Sequence, residues 1–143
     1  SSDSDKAQDD TQFTINRIQL FLEEYPSTGH KDECELMIHK LREKLAKKDI
    51  DSGKLYLRMQ KYKSALIYFN LVLIEYWDTS YTDEALYSIV ISHILNNQIE
   101  EAENFFINNK SRFRNNLYLK QAEKNLTKAK EGSKINVFFE LIK

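Results

Sequence analysis

One turn is written twice in this sequence, and this repetition constrains the fold more than any other feature. The segment EYPSTGHKDEC at Glu24–Cys34 returns as EYWDTSYTDEA at Glu75–Ala85, with five of eleven positions identical. A shift of 37 residues gives a third, weaker copy, because it places Tyr81 on Tyr118. A turn that recurs between helical segments indicates a stacked array of helix–turn–helix units rather than a closed bundle.

Apolar residues recur three and four positions apart along most of the chain, as they do in helices that bury one face. Only 3 Gly and 1 Pro interrupt the 143 residues, too few for the many turns of a sandwich or barrel. We therefore predict an all-α solenoid of about six antiparallel helices plus a short C-terminal segment. The expected helices span about 13–25, 32–59, 61–76, 81–95, 99–109 and 117–130.

The two ends of the chain differ from this helical pattern. Residues 1–10, SSDSDKAQDD, have no apolar periodicity, so we expect a flexible loop that leads into the first helix. A helical repeat domain should follow over residues 11–132. The tail at 133–143, SKINVFFELIK, fits a strand or a short helix, and we prefer a short helix because a lone strand has no partner.

Small and aromatic residues recur at fixed places in each unit, where they would let two helices approach and fill the space between them. Gly53, Tyr56, Ala65 and Phe69 are spaced as in the tetratricopeptide repeat, whose pattern puts Pro where Trp77 stands. The fold is thus predicted to be a tetratricopeptide-like helical-repeat solenoid. With the equivalents at a shift of 37, the predicted repeat core comprises Gly53, Tyr56, Ala65, Phe69, Ala102 and Phe106.

More narrowly, the sequence resembles the BamD family, the outer-membrane lipoproteins of the bacterial β-barrel assembly machinery. Members tend to show a helix ending in Tyr-Pro, a long helix with an LR.KLA.K segment, and then KLY....YK.A...F...L..Y. Here these read Tyr25-Pro26, LREKLAKK at 41–48, and KLY at 54–56 continuing to Tyr76. The resemblance covers about residues 1–125, and the family's first repeats are missing from this chain.

This resemblance implies a non-catalytic scaffold on the periplasmic face of the outer membrane that helps to fold and insert outer-membrane barrels. It also implies partners, namely the POTRA domains of the barrel-forming protein and other assembly lipoproteins. The C-terminal repeats would contact the POTRA domains, and the missing earlier repeats would meet substrate. Membrane attachment would come only through a lipid anchor outside this fragment.

Net charge and the few reactive residues also favour a non-catalytic protein that binds other proteins. Lys and Arg total 21 against 22 for Asp and Glu, so no overall field favours nucleic acid. The distribution is uneven, with an acidic N-terminal end and a basic stretch from Lys110 to Lys134, which fits complementary partners or simply a solvated face. The 3 His residues are scattered and Cys34 is the single cysteine, so we predict no enzyme, metal site or cofactor.

Residues predicted to face outward are the candidates for partner binding. Large exposed aromatics anchor many protein interfaces, and Trp77 is the first choice because it lies at a turn between repeats, with burial as the open alternative. The full predicted set is Tyr68, Trp77, Asp78, Tyr87, Arg112, Arg114 and Lys120. A second hypothesis is an adaptor that holds extended peptides in the concave groove of the array.

The second turn also carries a helix-start signal. Ser80 lies three residues before Asp83, which resembles a capping box with Asp in place of Glu. We therefore expect both side chains to satisfy backbone groups of their own helix.

Overall fold

The computed structural model of the chain describes residues 3–132, and the predicted tail helix at 133–143 lies outside these residues. Six α-helices are present: α1 (Asp3–Glu24), α2 (Lys31–Arg58), α3 (Tyr62–Glu75), α4 (Thr82–Leu95), α5 (Ile99–Asn109) and α6 (Asn116–Lys130). A 3-10 turn at Lys110–Arg112 follows α5, and the described range contains no strand. The prediction of an all-α tetratricopeptide-like fold is confirmed.

The N-terminal segment corrects the sequence prediction. Because α1 begins at Asp3, the expected flexible loop over residues 1–10 is wrong from that residue onward. Asp3 and Asp5 lie in the first turn, where acidic side chains interact favourably with the exposed backbone N–H groups. Lys48 of α2 donates a hydrogen bond of 2.5 Å from Nζ to Oε1 of Gln8. Contact with α2 thus accompanies helix formation in a segment that lacks an apolar stripe.

Helices α1 to α5 pack on their neighbours in the chain, and α6 packs more closely on α4 than on α5, as expected of a solenoid in which successive units stack. Two hydrophobic clusters result, one built from α1 to α4 and the other from α4 to α6. Helix α4 joins them, because Ile89 belongs to the first cluster while Val90 and Ile94 belong to the second. This helix is therefore buried on most of its circumference.

The predicted repeat-core residues lie between the paired helices. Gly53 of α2 faces the ring of Phe69, and a Cβ atom at position 53 would come within 2.8 Å of its Cδ1 atom. Only glycine therefore permits this close approach without movement of the ring. Ala65, Ala102 and Phe69 are fully buried. The remaining two are Tyr56, which is half-buried, and Phe106, which is buried.

Helix α2 continues without a break through 49–53, where helix propensity is poor. Asp49 in this stretch is buried, and burial raises the pKa of its carboxyl group to about 6 in spite of the nearby Lys48. An acid that is costly to ionise is thus part of the core that α2 and α3 share.

Candidate functional site

Acidic side chains of α2 and α4 accept hydrogen bonds from the turns of the following unit. Both carboxylate oxygens of Asp83 accept from the backbone N–H of Arg114, at 3.0 and 3.1 Å, and Oδ2 also accepts from that of Asn115. Glu43 does the same one unit earlier, where its two oxygens accept from the backbone N–H and the hydroxyl of Ser80 at 2.7 and 2.6 Å. The predicted capping box is therefore wrong, because neither Ser80 nor Asp83 caps α4.

The start of α6 is fixed by its own cap. Asn115 Oδ1 accepts a hydrogen bond of 2.8 Å from the backbone N–H of Leu117. Since Asp83 anchors the backbone of Asn115, the cap ties the first turn of α6 to α4. This geometry leaves the side chain of Leu117 77% exposed. A large apolar side chain is thus held at the surface by a fixed backbone.

A groove of about 570 Å³ opens beside Leu117, between α4 and the first turns of α6. The rings of Tyr87 and Tyr118 meet there, with centroids 5.8 Å apart and planes inclined by 53°. The core fixes the orientation of Tyr87, because its hydroxyl oxygen accepts a hydrogen bond of 2.9 Å from Nδ2 of the fully buried Asn125. The residues that line this α4–α6 groove are Tyr87, Asn115, Leu117, Tyr118 and Gln121.

Charges lie close to the α4–α6 groove, since those of Glu84, Lys54 and Asp83 act on the hydroxyl of Tyr118. Lys54 of α2 forms an ion pair with Glu84 of α4, so these two helices are linked across the repeat boundary. Burial raises the pKa of the Tyr118 hydroxyl above its ordinary value, so this group stays protonated and able to donate well above neutral pH. Arg114 and Lys120 are exposed, next in sequence to residues that line the groove. An apolar side chain from a partner, accompanied by an acidic residue, would suit this surface.

The seven predicted partner-binding residues do not form one site. Tyr87 lines the α4–α6 groove, and Arg114 and Lys120 are each next in sequence to a lining residue. Arg112 is exposed on the 3-10 turn, where Nη1 donates to Oδ1 of Asn109 at 3.1 Å. The other three lie on or next to α3.

At the turn after α3, Trp77 is exposed while its neighbour Asp78 is engaged within the chain. Trp77 is 59% exposed, so burial, the open alternative, is excluded. Arg42 of α2 donates to Asp78 from Nη2 at 2.6 Å and from Nε at 3.1 Å, and these bonds lower the pKa of the Asp78 carboxyl. Tyr68 is half-buried and stacks on Tyr56 with ring centroids 5.4 Å apart.

Four groove residues were missed by the sequence analysis, namely Asn115, Leu117, Tyr118 and Gln121. A signal for Leu117 existed, because it follows an Asn at capping distance and lies off the stripe that Ala122, Leu126 and Ala129 define. The hydrogen bonds of Asp83 gave no such signal, since their partners lie 31 and 32 positions away.

No group of three His, Cys, Asp or Glu side chains that could hold a metal ion occurs within residues 3–132. In the same range, no helix combines the length and apolar character needed to cross a membrane.

Fold and surface together define a tetratricopeptide-like helical-repeat domain with an aromatic groove between α4 and α6. The chain belongs to the YfiO family of outer membrane lipoproteins, whose profile matches residues 1–105. It is also 27% identical over 101 residues to the outer membrane protein assembly factor BamD of Caulobacter vibrioides. That alignment covers 71% of this chain and 33% of the relative, so the chain spans about a third of the relative's length.

The family match ends inside α5, earlier than the 125 residues over which the sequence resemblance was expected. The α4 wall of the groove lies within the match, and the α6 wall lies beyond it.

Proposed function

We propose that this chain is part of a non-catalytic scaffold that helps outer-membrane proteins to fold and insert, acting at the periplasmic face of the outer membrane. The observation that carries the proposal is the family match, which runs through α1 to α4 and into α5. The relative from Caulobacter is itself named as an outer membrane protein assembly factor. Recognition would occur through rigid helix faces and turns, with no bond made or broken.

The α4–α6 groove is the proposed docking site for a folded partner domain. Its support is rigidity: Asp83 fixes the α5–α6 loop, and Asn125 fixes Tyr87. A surface that is already ordered loses little conformational entropy on binding, so the exposed Leu117 can act as an anchor at low cost. Arg114 and Lys120 would attract acidic residues of the partner and set its orientation. The POTRA array of the barrel-forming protein is the partner we propose.

One observation favours a second candidate, an adaptor for extended peptides. The groove is open and its walls carry two tyrosine rings, which can contact the successive side chains of an extended segment. Such a segment would bind through a few residues and would not need a folded domain.

Isothermal titration tests both candidates on the same chain. The wild type is titrated with the purified POTRA array of the same organism and, separately, with unstructured peptides from an outer-membrane barrel strand. Leu117→Asp should weaken POTRA binding by about tenfold or more, since it puts a charge at the anchor. The matched control is Leu36→Asp on α2, another exposed leucine, which should leave the affinity unchanged.

A second pair of variants tests the charges around the groove. Lys120→Glu should weaken binding and reduce its salt dependence. Its matched control is Lys6→Glu on α1, which makes the same charge change far from the groove and should leave both quantities unchanged. Trp77→Ala, measured alongside, reports on the turn after α3. If the folded chain binds neither the POTRA array nor peptides, the proposal is wrong. Binding to peptides alone would select the adaptor.

A further inference from the structure

The outward face of α3 carries a row of exposed apolar side chains that the groove does not use. Ile67 and Ile74 are 62% and 68% exposed, and Leu71 between them is also exposed. Their spacing of four and three residues puts them on one face of the helix. Trp77 follows just past the helix end. At 1.5 Å per residue the row extends for about 15 Å, and we name these four residues the α3 stripe.

The fold does not require apolar residues at these positions. In the next unit the corresponding helix is α5, and the shift of 37 that aligns Phe69 with Phe106 gives the equivalents of the stripe. Those equivalents are all polar: Asn104, Asn108, Ser111 and Arg114. A solvated outer face is thus compatible with this repeat, and the α3 stripe departs from it. Exposed apolar patches of this kind mark contact sites.

The charges at the two ends of the α3 stripe are opposite and indicate what covers it. Lys61 and Lys63 lie at its N-terminal end, whereas Glu75 and Asp78 lie at its C-terminal end. Within the described range neither Lys63 nor Glu75 forms a close salt bridge, and the charge of Glu75 acts on Arg42 only at longer range. A second α3 helix running in the opposite direction would bring each basic end to an acidic end. The helix dipoles would also be opposed, which is favourable.

We infer that the α3 stripe is a homodimer interface, in which two copies of this chain pack their α3 helices antiparallel around a two-fold axis close to Leu71. Ile67 of one copy then lies opposite Ile74 of the other, so the apolar row is self-complementary. In this register Lys63 faces Asp78 of the second copy, which Arg42 of that copy already occupies. Glu75 of the second copy lies about one helical turn away, within reach of the long lysine side chain. This interface is separate from the α4–α6 groove and does not depend on the proposed function.

A cysteine at the axis tests this geometry directly, because only there does a residue meet its own copy. In a Cys34→Ser background, which removes the single native cysteine, Leu71→Cys should form an intermolecular disulfide in most of the protein under mild oxidation. Two exposed leucines serve as matched controls. Leu117→Cys on α6 and Leu36→Cys on α2 should cross-link several-fold less.

Sedimentation velocity of the 143-residue chain over a range of concentrations gives the affinity. The double change Ile67→Asn with Ile74→Ser, which installs the residues found at the equivalent positions 104 and 111, should weaken dimerisation by at least about tenfold. Circular dichroism checks that the variant is folded, which is expected because both side chains are exposed. Lys63→Glu should also weaken the dimer, and adding Glu75→Lys should restore it, because the two ends again carry opposite charges.

Three results would overturn the inference. The first is a wild-type chain that stays monomeric at every concentration. The second is cross-linking at Leu36→Cys with none at Leu71→Cys, which would assign self-association to the surface that α1 and α2 share. The third is a monomer that floats with anionic phospholipid vesicles and loses this binding in the Ile67→Asn, Ile74→Ser variant, which would assign the stripe to a lipid surface.

Discussion

The two copies of the repeated turn share five of eleven residues but have very different surroundings. Tyr25 in the first copy is 53% exposed, whereas Tyr76 at the same place in the second copy is only 8% exposed. In the first turn the hydrogen bonds are local, as between the backbone N–H of His30 and the hydroxyl of Thr28 at 3.2 Å. In the second turn, Arg42 and Glu43 reach in from α2.

This difference shows what the repeated sequence does and does not specify. The shared residues specify the reversal of the chain between two helices. Burial of the second turn comes from α2 of the preceding unit, and within residues 3–132 no helix covers the first turn in this way. The same Glu-Tyr pair therefore contributes a core residue in one place and a surface residue in the other.

The largest expected effect is that of removing the buried tyrosine. Tyr76→Ala should reduce the free energy of unfolding by about 3–5 kcal/mol, because it leaves a cavity beneath the turn. It also removes the ring over which the Arg42 guanidinium lies, 5.4 Å from the ring centroid. Tyr25→Ala, the matched change in the first turn, should cost about 1 kcal/mol or less. Urea unfolding followed by circular dichroism measures both, and equal losses would contradict the difference in burial.

The next effect concerns Arg42, which fastens the second turn. It bonds the Asp78 carboxylate and also donates to the backbone oxygen of Glu75 at 2.5 Å. Arg42→Ala should cost about 2 kcal/mol, since it leaves a half-buried acid and a carbonyl without their donor. In the first turn the corresponding comparison is Lys31→Ala, whose partner Glu35 is 4.0 Å away and exposed, so the loss should be about 0.5 kcal/mol or less.

Arg42→Lys and pH sharpen this second prediction. Lysine cannot make the forked contact, so the conservative change should lose about half of the stabilisation. Because Arg42 lowers the pKa of Asp78 in the folded state, the contribution is present above the ordinary pKa of 3.8 and is lost as the pH falls through the lowered value. An Arg42→Ala penalty that is the same at pH 7 and at pH 2.5 would contradict the ion pair.

Sequence patterns predicted most of the helices well, because the apolar residues within each helix recur at the helical spacing of three and four positions. The spacing of Ala65 and Phe69, and of their equivalents in α5, was enough to predict the repeat. Features that join units could not be predicted in this way. The acceptors of the turns, Glu43 and Asp83, are ordinary acids on helix surfaces, and only stacking brings them to backbone groups more than thirty residues away. Of the residues that line the α4–α6 groove, the proposed site, the sequence analysis named Tyr87 and missed Leu117.

The third prediction uses Asp49, a buried acid close to Tyr76. Burial of Tyr76 and, after it, the charge of Asp49 raise the pKa of the Tyr76 hydroxyl. The folded-state pKa of Asp49, about 6, is above its ordinary value of 3.8, so the folded protein binds the extra proton. Stability should therefore fall as the pH rises from about 4 to about 6. Asp49→Asn mimics the protonated acid and should be more stable than the wild type by about 3 kcal/mol at pH 7.

At pH 4 this advantage should vanish, because both side chains are then neutral. Urea unfolding at the two pH values measures the change. The matched control is Asp51→Asn on the same helix, which removes an exposed acid and its surface pair with Lys47 but no buried group. A wild-type chain whose stability rises between pH 4 and pH 6 by as much as that of Asp49→Asn would contradict the raised pKa.

The smallest effect is expected at Trp77, where the second turn departs from the Tyr-Pro of the first. Trp77→Ala should change the free energy of unfolding by less than about 0.5 kcal/mol, because the side chain is mostly exposed. Trp77→Pro, which copies the first turn, should cost more than about 1 kcal/mol. The reason is that Tyr76 has a ψ of 37°, whereas a residue before proline is driven to a ψ of roughly 120–160°. If Trp77→Pro were as stable as Trp77→Ala, the two turns would share one backbone conformation and their difference would lie in burial alone.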